Sequence, residues 1–185
     1  MNLYFIAIIP PPEISKDVIA FQTDFSTRFG SKAALKAMPH LTLKAPFQLP
    51  DAEHLRLLRW FQNLYFNLEP FQIELKDFGA FHNKNHPVIF LRPIINVPLY
   101  SLQKEIMRSF HFAFPALPIL NLELKFTPHI TLAYRDLDVI SFKEAWQEYG
   151  TKKYAAEFMV DSFCLLQHNR KTWEIMESYQ LLRTI

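Results

Sequence analysis

The sequence has few of the residues that cross-link a small secreted domain or loosen a chain, with one cysteine and three glycines among 185 residues. A single cysteine, Cys164, cannot form an intramolecular disulfide, so a reducing compartment suits the chain. Long apolar runs are also lacking: none reaches the roughly 20 residues of a membrane span. The apolar start of the chain stops at Pro10-Pro11-Pro12 and lacks the features of a signal peptide. We therefore expect a cytoplasmic protein with no membrane partner.

The sequence lacks an excess of charge of either sign, because 20 Lys and Arg stand against 18 Asp and Glu. Proteins that bind long nucleic acid duplexes present a basic surface, which this balance does not predict. Apolar residues are abundant instead, with half of the chain hydrophobic and 18 phenylalanines. A chain of this length and composition can bury one core, so we interpret residues 1–185 as a single domain with two lobes.

Hydrophobic periodicity divides the chain into strands and helices in a similar order in its two halves. Apolar spacing of three and four residues followed by Gly30 predicts a first helix that ends at this glycine. The full set of predicted strands is Leu3–Ile9, Met38–Phe47, Phe71–Phe81, Val88–Leu91, Thr127–Tyr134, Phe158–Gln167 and Thr172–Leu182, and the predicted helices are Pro12–Phe29, a segment capped by Asp51, Val97–Phe114 and Phe142–Tyr149. This order predicts an α+β fold of two similar lobes, each a mainly antiparallel sheet with helices on one face.

A nearly identical pentapeptide occurs twice, about half a chain length apart. Pro39-His40-Leu41-Thr42-Leu43 recurs as Pro128-His129-Ile130-Thr131-Leu132. Because side chains alternate along a strand, each histidine shares a face with the threonine two residues later. The residues between and after them point into the core. The repeat predicts duplicated lobes that face each other across a cleft, with one imidazole and one hydroxyl from each lobe.

Two imidazoles and two hydroxyls in one cleft suit displacement at phosphorus. The attacking and leaving oxygens lie on opposite sides of the phosphorus, so one neutral histidine can accept a proton while one protonated histidine donates one. Threonine hydroxyls can donate to the non-bridging oxygens. We therefore take His40, Thr42, His129 and Thr131 as candidate catalytic residues. No carboxylate accompanies either motif at a metal-ligand spacing, so we expect no metal.

Residues that follow the motifs are candidates for substrate binding. Lys44 and Arg135 continue the alternation of their strands and could add positive charge near a phosphate, although cations at strand ends are often only solvated. Tyr134 and Phe47 are candidates for the edge of the cleft. His82 and His86 lie four residues apart, but they flank a predicted hairpin turn, so we assign them no metal.

The paired His-x-Thr motifs in matched apolar contexts resemble those of the 2H phosphoesterase superfamily, in particular its bacterial 2′-5′ RNA ligases and RNA 2′,3′-cyclic phosphodiesterases. The resemblance implies a bilobed α+β fold with a pseudo-two-fold axis through a central cleft. It also implies opening or forming of cyclic or 2′-5′ phosphodiesters without a cofactor, with His129 as the base and His40 as the acid. Neither motif is followed by the glycine-containing segment common among ligase-like members, so the chain looks more like a divergent bacterial branch of the superfamily.

The residues and the resemblance together predict a metal-independent phosphodiesterase. Its expected substrates are 2′,3′-cyclic phosphates or 2′-5′ phosphodiester bonds of RNA ends or small nucleotides, and we expect a monomer. Two alternatives remain at this stage. The lobes could grip a phosphorylated ligand or RNA end without turnover, or the histidines could serve a metal hydrolase.

Overall fold

Short runs of β-forming residues give eight strands that join in one antiparallel sheet in the computed structural model, which describes residues 1–181. The strands are β1 (Asn2–Ile8), β2 (Leu41–Leu49), β3 (Phe71–Phe81), β4 (Val88–Pro93), β5 (Ile130–Ala133), β6 (Ala155–Val160), β7 (Ser162–His168) and β8 (Trp173–Gln180). The helices are α1 (Pro12–Phe29), α2 (His54–Gln62), α3 (Val97–Ala113), α4 (Asn121–Leu124) and α5 (Val139–Tyr149), with 3₁₀ turns at Ala33–Lys36 and Asp51–Glu53. The predicted antiparallel α+β fold is confirmed.

The two motif strands meet at the centre of the sheet, whose order is β6-β3-β4-β5-β2-β1-β7-β8. Each motif strand is reached from its outer neighbour through a helix, in the units β1-α1-β2 and β4-α3-β5. Strands β7 and β8 lie beyond β1, and β3 and β6 lie beyond β4. Each half of the sheet therefore contains strands from both halves of the chain, which the order of elements along the sequence did not indicate.

The helix within each of these units packs against the motif strand of the other unit. Helix α1 packs against β5, and α3 packs against β2. The main core lies between the helices and one sheet face, where Phe25 of α1 and Phe110 of α3 are buried with Leu41 and Ile130. Helix α1 begins at a proline and ends at Gly30, whose φ of 72° is the left-handed conformation that glycine adopts most easily. This helix was predicted with the same ends.

The other sheet face carries a small apolar cluster of Phe5, Ala7, Cys164 and Leu166. Cys164 is buried there and has no disulfide partner in the described part of the chain. Of the helices within residues 1–181, none combines the length and apolar character needed to cross a bilayer.

The prediction of one strand over Phe158–Gln167 was wrong. The segment forms two strands separated at Asp161, because β6 pairs with β3 at one edge of the sheet and β7 pairs with β1 near the other. Asp161 and Ser162 interrupt the apolar residues at this point, but a short polar break does not show that the chain changes its neighbouring strand. The prediction that Asp51 caps a helix also differs from the structure, since Asp51 lies in a 3₁₀ turn before α2 and its side chain caps neither element. The last residue of the final predicted strand, Leu182, lies outside the described residues.

Candidate active site

The two motifs lie side by side across the centre of the sheet. Leu41 of β2 is paired with Ile130 of β5, and this antiparallel register sets His40 opposite Thr131 and Thr42 opposite His129. Together the four candidate catalytic residues line one cavity of about 220 Å³. The structure therefore brings together the two imidazoles and two hydroxyls that the repeat predicted to share a cleft.

Both histidines are held by the same local hydrogen bond. His40 Nδ1 donates to the carbonyl oxygen of Met38, and His129 Nδ1 donates to that of Thr127, each over 2.8 Å. A carbonyl oxygen can only accept, so the hydrogen of each neutral ring is on Nδ1. In both residues Nε2 is left as the nitrogen that can accept or donate a proton in the cavity.

Each imidazole packs against an aromatic ring from the neighbouring strand. The centroid of His40 lies 4.9 Å from that of Phe5 on β1, and His129 lies 5.4 Å from Phe90 on β4 and 5.1 Å from Phe81. Burial beside these rings lowers the pKa of both histidines below the ordinary 6.5, against the opposing effect of the backbone hydrogen bonds. Positive charge on His129 lowers the pKa of His40 further.

The hydroxyls and one cation of the cavity are available to a ligand. Within residues 1–181, Thr42 Oγ1 and Thr131 Oγ1 have no protein hydrogen-bond partner, and Arg135 forms no ion pair. Tyr134 and Arg135 line the cavity, and the guanidinium lies 5.0 Å from the centre of the Tyr134 ring. Arg135 follows the end of β5 with a φ of 59°, so a turn, and not the strand alternation used in its prediction, directs it to the cavity.

This turn is fixed by Asp136. Its carboxylate accepts hydrogen bonds from Ser31 Oγ at 2.9 Å and from the backbone N–H groups of Lys32 and Ala33 at 2.9 and 3.0 Å. The contact joins the segment after α1 to the turn that carries Arg135. Two walls of the cavity are therefore held together by one side chain.

The structure does not place Lys44 in the cavity. A β-bulge shifts the register so that Ala7 faces Thr42 while the preceding residue, Ile6, faces Lys44. The bulge turns Lys44 to the helix side of the sheet, where its Nζ lies 2.6 Å from Glu123 Oε1 and both side chains are almost fully buried. The prediction for Lys44 failed because it assumed uninterrupted alternation.

Phe47 is also outside the cavity. Its ring packs in the main core, with centroid distances of 5.8 Å to Tyr4 and 4.6 Å to Phe110. Phe47 is an odd number of residues from His40, so strand alternation alone would have placed it on the core face with Leu41 and Leu43.

Several cavity residues were not among the predicted site residues. The set comprises Phe5, Gln22, Ala34, Ala37, Met38, Pro39, Pro46 and Trp173. Phe5 could have been assigned by alternation, since it occupies the face opposite to Tyr4 and Ile6. Gln22 also carried a signal, because it is the polar member of the buried stripe of α1. Trp173 packs edge-on against Phe5 at 4.4 Å, a contact between strands far apart in sequence.

A second cavity of about 520 Å³ adjoins the first and shares Thr42, Pro46 and His129 with it. Phe81, Phe126 and Lys125 are among its other lining residues. His40 lines only the first cavity. Of the four motif residues, Thr42 and His129 therefore line both cavities, whereas His40 and Thr131 line only the first.

No group of three or more His, Cys, Asp or Glu side chains in residues 1–181 is arranged to hold a metal ion. His82 packs against the rings of Phe142 and Trp146, at centroid distances of 5.2 and 5.7 Å. His82 therefore packs against α5.

Comparisons with known proteins identify the family and the fold. The sequence model of the 2′-5′ RNA ligase superfamily matches residues 10–172. A Geobacillus kaustophilus protein named "Putative phosphoesterase GK0864" is 26% identical over 95% of this chain and 94% of its own length. The crystal structure of TT0787 of Thermus thermophilus has a TM-score of 0.73 and 22% identity, covering 98% of each chain. Escherichia coli LigT, crystallised with 3′-AMP, has a TM-score of 0.66 and 19% identity over 98% of this chain and 99% of LigT. The chain belongs to the 2′-5′ RNA ligase superfamily, the 2H phosphoesterases.

Proposed function

We propose that this protein is a phosphodiesterase that opens 2′,3′-cyclic phosphates, or cleaves 2′-5′ phosphodiesters, at RNA ends or on small nucleotides. The observation that carries the proposal is the pair of imidazoles, each with Nδ1 bonded to its own backbone and Nε2 left for the same cavity. LigT, of the same fold, binds 3′-AMP, a ribose phosphomonoester. A nucleotide carrying its phosphate on the ribose ring is therefore the ligand class we assign to the cavity.

The reaction needs one neutral and one protonated histidine. The neutral Nε2 accepts a proton from water as the water oxygen bonds to phosphorus, and the protonated Nε2 gives a proton to the ribose oxygen as its bond to phosphorus breaks. The product is a phosphomonoester with one free ribose hydroxyl. Thr42 and Thr131 donate hydrogen bonds to the non-bridging oxygens, and Arg135 supplies positive charge at the edge of the cavity.

Burial favours one assignment of roles. A charge on either imidazole disfavours a charge on the other, so the pair favours a single proton, and because His40 is the more deeply buried ring we place that proton on His129. We therefore assign His129 as the acid toward the leaving oxygen and His40 as the base toward water. The resemblance to the superfamily implied the reverse. No metal takes part in the proposed steps, because the motif residues supply both proton transfers and the anion contacts themselves.

A panel of 2′,3′-cyclic nucleotides, cyclic-phosphate RNA ends and 2′-5′ dinucleotides tests the proposal. His40→Ala and His129→Ala should each lower kcat/KM by about 10²–10⁴-fold, the usual contribution of one general acid or base. His111→Ala is the matched control, since His111 lies on the exposed face of α3. Activity in the wild type should also survive a chelator.

Two outcomes contradict the proposal. If the His40→Ala/His129→Ala double variant retains wild-type activity, the histidines are not the catalytic groups. If the wild type binds nucleoside phosphates but turns over none of the panel, the protein is a binding module, the alternative that the sequence left open.

A further inference from the structure

Gln22 carries a buried polar atom for which no group within residues 1–181 is a hydrogen-bond partner. Its side chain lies on the core-facing stripe of α1, is 3% exposed and lines the first cavity. Gln22 Nε2 donates to the carbonyl oxygen of Thr131 at 3.0 Å. Gln22 Oε1 has no hydrogen-bond partner among the described residues.

The orientation of this amide is fixed by its one hydrogen bond. The Thr131 carbonyl can only accept, so it must face the NH₂ group and leave Oε1 on the other side. A buried carbonyl oxygen without a donor is unfavourable, and most such groups in native proteins are satisfied by a partner. Gln22 therefore needs a hydrogen-bond donor, and the cavity is the space from which one can come.

The position of Gln22 relates it to His40. Thr131, to which it is bonded, lies opposite His40 across the centre of the sheet. His40 and Gln22 line only the first cavity, whereas His129 lines both. The acceptor therefore belongs to the His40 side of the motif pair.

We propose that Gln22 Oε1 accepts a hydrogen bond from an O–H group bound on the His40 side of the cavity, either the attacking water or a free ribose hydroxyl. This inference rests on the proposed function. A water molecule has two hydrogens, so it can donate one to His40 Nε2 and the other to Gln22 Oε1, which fixes the direction of its lone pair toward phosphorus. A ribose hydroxyl beside the phosphate could satisfy the same acceptor.

The variant that tests the proposal is Gln22→Met, which keeps the length and volume of the side chain and removes the acceptor. It also removes the donor to a backbone carbonyl, so a matched control is needed. Gln103→Met provides it, because Gln103 is 4% exposed on α3, donates through Nε2 to the carbonyl oxygen of Glu123 and lines neither cavity.

The first measurement concerns water. A cyclic nucleotide is opened in a mixture of water and methanol, and the ratio of phosphomonoester to methyl phosphodiester is determined. Methanol has one O–H and cannot bond to both groups, so the wild type should favour water by about 3- to 10-fold more than Gln22→Met does. A ratio of two products in one reaction does not change when a variant is merely less stable.

The second measurement concerns the ribose hydroxyl. Calorimetry compares the binding of adenosine 3′-monophosphate with that of its 2′-deoxy analogue. If the hydroxyl is the donor, the wild type should prefer the ribonucleotide by about 3- to 10-fold, and Gln22→Met should lose this preference while Gln103→Met keeps it.

The results separate this inference from the proposed function. A loss of either preference in Gln22→Met alone supports the inference and identifies the donor. If both preferences match those of the wild type, Gln22 Oε1 has no role toward the ligand and the inference is wrong, even with full turnover. If the wild type opens no cyclic phosphate, the proposed function fails, and the binding comparison alone decides whether Gln22 contacts a ribose hydroxyl.

Discussion

The buried ion pair between Lys44 and Glu123 gives the sharpest test of how the site is supported. Glu123 Oε1 accepts from Lys44 Nζ at 2.6 Å and from the Ala45 N–H at 3.1 Å, and its Oε2 accepts from the Leu120 N–H at 2.8 Å. The two side chains are 2% and 1% exposed. Glu123→Gln keeps most of the shape but leaves a buried ammonium group without its counter-charge.

Removing one partner of a buried pair costs about 3–5 kcal/mol, because the remaining charge stays out of water. For a chain of 150–250 residues each kcal/mol lowers Tm by about 2–4 °C, so the Tm of Glu123→Gln should fall by about 6–20 °C. The exposed pair of Arg108 and Glu105 is the control. Glu105→Gln should cost about 0–1 kcal/mol because solvent screens that pair.

Urea unfolding monitored by tryptophan fluorescence and circular dichroism measures the free energy of unfolding of Glu123→Gln and of Glu105→Gln. Lys44→Met and the double variant Lys44→Met/Glu123→Gln complete a cycle in which the double loss should be at least about 2 kcal/mol smaller than the sum of the single losses. Additive losses, or a Glu123→Gln cost no greater than that of Glu105→Gln, would refute the view that this pair holds α4 and the segment before His129 against β2.

Four further predictions concern the site itself. Because the pKa of His40 and of His129 lies below 6.5, the pH profile of kcat/KM should be bell-shaped with its maximum below pH 6.5, and a maximum near pH 8 would contradict the proton roles. The same shifts mean that the unfolded chain binds more protons than the folded one as pH falls through 6.5, so Tm should drop there, and by less in a His40→Gln/His129→Gln variant. Arg135→Ala and Arg135→Gly should both weaken adenosine 3′-monophosphate binding by about tenfold in calorimetry. The glycine variant should be about 1 kcal/mol more stable than the alanine variant, because φ at position 135 is 59°. Equal Tm values for the two variants would argue against backbone strain at this position. Phe126→Ala should raise KM by about 5-fold or more for a cyclic-phosphate dinucleotide but not for a cyclic mononucleotide, whereas Phe112→Ala, whose ring is 90% exposed, should change neither.

The motif repeat was sufficient to predict the centre of the site, because strand alternation over three residues places a histidine and a threonine on one face. Alternation failed two residues further on, at Lys44, where a bulge that has no residue signature reverses the faces. Arg135 reached the cavity by a different route from the one its spacing suggested. The local sequence pattern thus predicts which residues share one face of a short strand segment, and it loses accuracy wherever the backbone departs from regular geometry.

Contacts between distant segments could not be predicted from the sequence. The separation of β6 from β7 depends on which strand each can pair with, and the polar residues Asp161 and Ser162 between them do not identify those partners. Trp173 and Gln22 enter the cavity from a strand and a helix remote from the motifs. Gln22 was visible as a polar residue in an apolar stripe, but its partner and its unsatisfied oxygen follow only from how α1 meets β5.

The packing of α1 and α3 on opposite halves of the sheet determines how fragments of this chain should behave. A break between β4 and α3 would yield an N-terminal fragment with four strands, two in each half of the sheet. The C-terminal fragment would supply the other four strands, again two in each half. Each fragment would expose one motif strand without its covering helix. Neither could hold a stable sheet alone, yet the two together carry complementary edges and apolar faces. Co-expressed fragments should therefore assemble into an interlaced heterodimer, with one imidazole contributed by each chain.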